Sequence, residues 1–304
     1  MESYPAPARE AVTSFREAAL AQPRRAAAFQ GAPGAYSHQA VREALPDALP
    51  LPCFSFEEAL ESVTEGRAAH AVIPVENSLH GRVADVHFLL PESGLSVVGE
   101  AYVKVEHCLL GVRGATIDAV REAISHAQAL GQCRRRLKAM GIRPVAFADT
   151  AAAAAAIVEA AQPAVAAIAS RLAAGLYGCD ILAENVQDAD HNRTRFLLLA
   201  RAPLADPGDG PVKTSLAFEV KNVPAALFKA LGGFATNGVN LTRLESHLRG
   251  GAFTAAEFVA DIEGAPSEAH VARALEELAF HSKWVRNLGT YPAAPLGAHA
   301  VPAA

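Results

Sequence analysis

The chain has 304 residues, 51% of them hydrophobic, and a formal net charge of −5. That length is long for one domain and comfortable for two, and the acidic balance excludes the basic footprint of a nucleic-acid binder. No apolar run reaches the roughly 20 residues of a membrane span, and residues 1–25 lack the apolar core of a signal peptide. The expected setting is therefore the cytoplasm, with no membrane and no nucleic acid as partner.

Residues 1–25 stand as an N-terminal extension. From residue 26 short apolar runs alternate with helical patterns. AAAFQ leads through GAPGAYSHQ into a helix, and LPCF leads through Ser55 into FEEALESVTEG. AVIPV ends in the polar ENSLHGR, and LSVVGEAYVKVEHCLLG is a long alternating stretch. EAIS precedes the basic helix QALGQCRRRLKAMG, and TAAAAAAIVEAA, capped at Thr150, reads as an Ala-rich helix. VAAIAS then precedes SRLAAGLYG. This alternation predicts an α/β domain with polar residues gathered at the C-terminal ends of strands, where ligands bind.

The alternation stops at RAPLADPGDGPV, residues 201–212, whose prolines and glycines predict a linker. Beyond it the patterns run strand, helix, strand, strand, helix, strand, the ferredoxin-like βαββαβ order. The last residues, AAPLGAHAVPAA, read as a tail.

Several stretches carry polar chemistry. ENSLHG puts Glu76, Asn77 and Ser78 at a strand end, with Gly81 to permit a tight turn; a turn followed by a helix cap is the alternative. GAPGAYSH is a Gly-rich turn with Ser37 near a helix start. It is either an anion site of free N–H groups or a structural turn, and it matches neither the dinucleotide fingerprint nor the P-loop. SHAQALGQC brings Ser125, His126, Gln128 and Gln132 to a strand-to-helix transition, with no nearby carboxylate to complete a local triad. Arg134, Arg135 and Arg136 read as a solvated face.

In HNRTRFLLLA, Thr194 lies between Arg193 and Arg195 at the mouth of an apolar strand. Its hydroxyl does not ionise near neutral pH, so it suits hydrogen-bond donation to a group that gains negative charge. The cysteines, Cys53, Cys108, Cys133 and Cys179, are scattered without a C-x-x-C pair, which indicates neither a disulfide framework nor a metal.

GAPGAYSH, AVIPVENSLHG, VEHCLL, SHAQALGQC, LYG and NRTRF, in this order, resemble the successive motifs of prephenate dehydratases. KTSLAFEV, PAALFKAL and NLTRLES resemble the ACT regulatory domain that follows in that family. The resemblance covers residues 26–292. It implies a two-lobed dehydratase domain similar to type 2 periplasmic binding proteins over residues 26–203, a linker over 204–212, and an ACT domain over 213–294. It further implies conversion of prephenate to phenylpyruvate with loss of carbon dioxide and water, feedback inhibition by phenylalanine, a homodimer or homotetramer, and no cofactor or metal.

Residue by residue, the resemblance places catalysis on Thr194, with Glu76, Asn77 and Ser78 beside it. Ser37, Ser125, Gln128, Arg195 and Phe196 fall on substrate-binding positions. Asn222, Ala225, Ala226, Leu227, Glu245 and Ser246 fall on the phenylalanine pocket, formed between ACT domains of adjacent chains. The chain departs from the family's pattern at Ala127 (for proline), at His80, at Ala225 (for glycine), and at His247 and Leu248 (for arginine and proline). Arogenate, which carries an amino group in place of the keto group, is the alternative substrate. A non-catalytic amino-acid sensor is the alternative class.

Overall fold

The computed structural model describes residues 3–83, 86–248 and 256–295; of these His87, His247, Leu248 and Ala256 are described by backbone alone, so the His247 and Leu248 side chains lie outside the described residues. The chain forms two compact units, one from the N-terminal residues to Arg82 with Tyr102–Phe196, the other from Val83–Ala101 with Leu197 onward.

In chain order the elements up to the first crossover are α1 (Ala6–Ala21), β1 (Ala26–Gln30), α2 (Tyr36–Ala44), β2 (Leu49–Cys53), α3 (Phe56–Thr64), β3 (His70–Asn77), β4 (Gly81–Arg82), α4 (Val86–Glu92) and β5 (Ser96–Lys104). There follow β6 (Cys108–Gly111), β7 (Glu122–Ser125), α5 (Ala127–Gln132), α6 (Arg134–Ala139), β8 (Arg143–Ala146), α7 (Thr150–Ala160), β9 (Val165–Ala169), α8 (Arg171–Tyr177), β10 (Asp180–Ala183) and β11 (Arg193–Ala200). The C-terminal elements are β12 (Val212–Val220), α9 (Ala226–Thr236), β13 (Leu241–Leu248), β14 (Ala256–Glu263), α10 (Ala269–His281) and β15 (Ser282–Pro292).

Two sheets make the two α/β lobes. The first has the order β2-β1-β3-β11-β5, with β4 on β3, and the second β10-β6-β9-β7-β8. β1 runs parallel to β2 and β3, and β7 parallel to β8 and β9, as helical crossovers require. The chain passes from the first sheet to the second between β5 and β6 and returns between β10 and β11. The two crossovers are bonded side by side: Val105 N–H donates to Asn192 O at 2.9 Å, and Val186 N–H to His107 O at 2.9 Å.

Local signals explain the helix starts. Ser55 caps α3 by accepting from Glu58 N, as its position before FEEALESVTEG predicts. The Ala-rich helix is capped one residue earlier than expected: Asp149, not Thr150, is the N-cap, and its carboxylate accepts from Ala152 N at 2.8 Å. The basic helix is broken at Cys133 into α5 and α6, and Asp188 caps the second piece, accepting from Arg135 N at 2.9 Å and Arg136 N at 3.2 Å. Arg134, Arg135 and Arg136 are exposed.

Ala151–Ala155 are all fully buried. Their small side chains let neighbouring backbones approach closely, and α7 packs into one cluster with Ala8 and Val12 of α1, Ala173 of α8 and Leu110 of β6. The N-terminal extension thus contributes a helix to the core of the first unit. Among the described residues no helix is long and apolar enough to cross a membrane.

Residues 201–211 carry no helix or strand. After them β13-β14-β12-β15 form an antiparallel sheet, the ferredoxin-like order expected. Its core joins Leu216, Phe218, Phe234, Phe258, Val271 and Leu278, with Phe218 and Phe258 stacked at 5.3 Å between centroids.

Candidate active site

Adjacent strands bring ENS and NRTRF together. Ser78 N–H donates to Arg193 O at 2.9 Å, Ser78 Oγ donates to His191 O at 3.0 Å, and Arg193 N–H donates back to Ser78 Oγ at 2.9 Å. The Ser78 hydroxyl is thereby committed to holding the end of β3 against the start of β11.

Asn77, 9% exposed, is oriented from both ends. Its Oδ1 accepts from Leu79 N at 3.0 Å and His80 N at 3.1 Å, which fixes the amide's sense. Its Nδ2 therefore faces the other strand, donating to Asn192 Oδ1 at 2.8 Å and Thr194 Oγ1 at 3.0 Å, with Arg193 O at 3.2 Å. Thr194 Oγ1 is thus an acceptor in this contact, and its own hydrogen is left for another partner. Gly81, at φ +73°, makes the turn that returns β4 beside Asn77.

Glu76 precedes Asn77 on β3 and so projects from the opposite face. Among the described residues no hydrogen bond joins it to Thr194. Arg195 is buried at 5% exposure, and Phe196 is buried in the core.

The GAPGAYSH turn is clasped by the second lobe. Ser170 Oγ donates to Gly34 O at 2.6 Å and Tyr177 OH to Pro33 O at 2.7 Å. Asp149 accepts from the Ala32 amide as well as capping α7; burial raises its pKa despite these donors. Gly34, at φ +94°, lies so close to α8 that a Cβ would come 2.9 Å from Ala173 Cα. The first amide of α2 bonded to a backbone carbonyl is that of Gln39, to Ala35. The amides of Tyr36, Ser37 and His38 are left at the helix N-terminus, with the Ser37 side chain among them.

His38 is buried, its ring stacked on Phe29 and edge-on to Phe15, each at 5.2 Å. Its Nδ1 accepts from Gly34 N at 3.0 Å. Burial, helped by the Arg42 charge, pushes its pKa down to about 4, so the ring is neutral.

A further chain joins three motifs. Tyr36 OH donates to Glu106 O at 2.8 Å and lies 2.9 Å from His107 Nδ1. His107 Nε2 meets Gln132 Oε1 at 2.6 Å, and its amide donates to Gln187 Oε1 at 2.9 Å. An amide oxygen only accepts, so Nε2 carries the proton, and the unprotonated Nδ1 and Glu106 O lie around the single Tyr36 hydroxyl hydrogen. Burial lowers the His107 pKa, opposed by the Gln132 bond. Of the two glutamines, Gln132 faces the crossover, whereas Gln128 is exposed, its amide 3.3 Å from His126 Nδ1. Ser125 is fully buried and donates to Ile168 O at 2.6 Å. His107 and Asn192 were not singled out in the sequence; their signal was membership of the VEHCLL and NRTRF motifs.

In the second unit a cavity of about 300 Å³ is lined by Asn222, Ala225, Ala226 and Leu227, with Glu219, Lys221, Phe228 and Lys283 among its other walls. Glu245 and Ser246, on β13, are not among the lining residues. Ala225 adopts φ +61°, the left-handed conformation that favours glycine, and is the N-cap of α9. Among the described residues no group of three or more His, Cys, Asp or Glu side chains could hold a metal ion.

Two α/β lobes joined by paired crossovers, with polar side chains converging beside them, define a two-lobed α/β protein. The family model for prephenate dehydratase matches residues 27–204, and the chain belongs to that family. It is 49% identical over 272 residues to the bifunctional N-acyl-homoserine lactone acylase/prephenate dehydratase of Komagataeibacter europaeus, covering 89% of this chain and 97% of that one. It is 39% identical over 278 residues to the chloroplastic arogenate dehydratase/prephenate dehydratase 1 of Arabidopsis thaliana, covering 87% and 71%. The structure of a prephenate dehydratase from Arthrobacter aurescens in complex with L-Phe superposes with a TM-score of 0.82 at 30% identity, covering 91% and 92%.

Proposed function

We propose that the protein converts prephenate to phenylpyruvate, carbon dioxide and water, and that its C-terminal unit is an ACT domain through which phenylalanine inhibits this reaction. The observation that carries the reading is the Asn77–Thr194 contact, which uses a lone pair of the Thr194 oxygen and leaves its hydrogen to donate.

The chemistry suits these groups. The ring carboxylate leaves as carbon dioxide, its electron pair enters the ring, and the hydroxyl departs, taking up one proton from solvent to become water. Thr194 donates a hydrogen bond to that departing oxygen as negative charge builds on it. A donor so placed contributes roughly 3–4 kcal/mol to the barrier, a factor of hundreds in rate. The free amides of α2 and Ser37 bind a substrate carboxylate at a helix N-terminus, and Arg195 adds positive potential from its buried position. Glu76, on the other face of β3, does not act through Thr194. Ser125, Gln128 and Phe196 support the walls, Ser125 and Phe196 from inside.

For the effector, support comes from the ferredoxin-like order, the cavity at Asn222–Leu227, and the relative crystallised with L-Phe. In the family's manner a second chain completes the pocket and brings Glu245 and Ser246 to it, which makes the protein a homodimer or homotetramer. On this reading the protein works in the cytoplasm.

Two other readings have specific support. The 39% identity to an arogenate dehydratase/prephenate dehydratase favours arogenate as a substrate. The 49% identity to a bifunctional acylase/prephenate dehydratase favours hydrolysis of N-acyl-homoserine lactones. One experiment separates them: the purified chain is assayed on prephenate, arogenate and an N-acyl-homoserine lactone, each with and without phenylalanine. Phenylpyruvate from prephenate, suppressed by phenylalanine, is the expected result. Turnover of arogenate alone moves the substrate; turnover of the lactone alone moves the reaction class; turnover of none with phenylalanine still bound makes the protein a sensor.

A further inference from the structure

We propose that Asn192 is a positioning residue for Thr194, acting through Asn77. This rests on the reading of Thr194 as the leaving-group donor. Asn192 is fully buried at the return crossover, its backbone carbonyl bonded to Val105 N at 2.9 Å. Its Oδ1 accepts from Asn77 Nδ2 at 2.8 Å. Its own Nδ2 is buried and has no hydrogen-bond partner among the described residues.

An orphaned buried donor is unusual and calls for a reason. Turning the Asn192 amide over does not relieve it, because that places two N–H groups face to face: Asn77 Nδ2 is held toward Asn192 by the Leu79 and His80 amides on its oxygen. The oxygen of the side chain is thus used, and its nitrogen is not.

What the oxygen does follows from amide geometry. The two N–H bonds of Asn77 lie in one plane, about 120° apart. When Asn192 Oδ1 takes one of them, the other is aimed at Thr194 Oγ1, 3.0 Å away. Without that acceptor the amide is free to settle on Arg193 O, at 3.2 Å. The Thr194 oxygen then loses its fixed donor, and its hydroxyl rotates away from the direction the leaving group needs.

The test compares the full-length parent with Asn192→Leu, Asn192→Asp and Thr194→Ala, measuring kcat and KM on prephenate and the thermal midpoint. Leucine has the branching and the number of side-chain heavy atoms of asparagine but removes the acceptor and the orphaned donor together. It is expected to lower kcat about tenfold or more and leave KM within about threefold, without lowering the thermal midpoint, because an unsatisfied donor has gone. Aspartate keeps an acceptor toward Asn77 and is expected to hold kcat within about fivefold of the parent. Unchanged kcat in Asn192→Leu overturns the proposal, as does a fall in kcat that comes with a lowered midpoint, or an Asn192→Asp kcat no better than that of leucine. Thr194→Ala distinguishes the two readings. If it keeps turnover, the leaving-group role itself fails; if it loses turnover while Asn192→Leu keeps it, the role of Asn192 alone fails.

Discussion

Asn77 Nδ2 and Thr194 Oγ1 meet at 3.0 Å across 117 residues of chain, with the nitrogen as donor. The direction of that bond matters more than its length. A threonine whose oxygen already accepts has one hydrogen to give, and on the proposed reading the substrate's departing hydroxyl receives it.

Thr194→Ala is accordingly expected to lower kcat by about 100- to 1,000-fold with KM within a few-fold. Thr194→Ser, which keeps the hydroxyl, retains most of the rate. Steady-state formation of phenylpyruvate measures both. A loss confined to KM contradicts the leaving-group role.

Asn77→Asp tests the direction of the bond. A carboxylate still accepts from the Leu79 and His80 amides but has no N–H for Thr194. The Thr194 hydroxyl then donates to the carboxylate instead of the substrate, and kcat falls about as far as in Thr194→Ala. In the double variant the two losses do not add, which a double-mutant cycle on kcat reads directly.

His38 makes stability depend on pH. Its folded pKa, about 4, lies below the ordinary value of 6.5. Between those values the unfolded chain binds a proton that the folded chain does not, so stability is full above pH 6.5 and falls with pH toward 4. The shift corresponds to roughly 3 kcal/mol once both values are passed. Asn in its place keeps an acceptor for the Gly34 amide without a titrating ring. Denaturant unfolding at pH 7 and pH 4.5 is expected to show a smaller loss in His38→Asn than in the parent; equal losses remove His38 as the cause.

Ala225→Gly addresses the departure from the family's glycine. At φ +61° an alanine carries a left-handed penalty of about 1 kcal/mol, so glycine is expected to raise the thermal midpoint of the C-terminal unit by a few degrees. The backbone already has the conformation that glycine favours, so the phenylalanine concentration for half-inhibition stays within about threefold. A large change in inhibition instead shows that the Ala225 methyl, on the wall of the cavity, meets the effector.

Much was determined locally and was readable in the sequence. The alternation of apolar runs and helical patterns gave way to βαββαβ at the proline- and glycine-rich linker, because hydrophobic period and turn chemistry act over a few residues. Ser55 as a cap and Thr194 at a strand mouth belong to the same kind of signal.

The contacts that make the site act over distances no local pattern records. Asn77 and Asn192 are 115 residues apart, Tyr36 and His107 are 71 apart, and Ser170 reaches Gly34 across 136. Ser78, expected from the sequence beside the catalytic group, spends its hydroxyl on His191 once the strands are paired. Gln128 and Gln132 share a helix, and only the packing of that helix against the crossover decides that Gln132 meets His107. A hydrogen bond is directional over about 3 Å. Sequence determines which groups are available, and the tertiary structure alone decides which of them points at which.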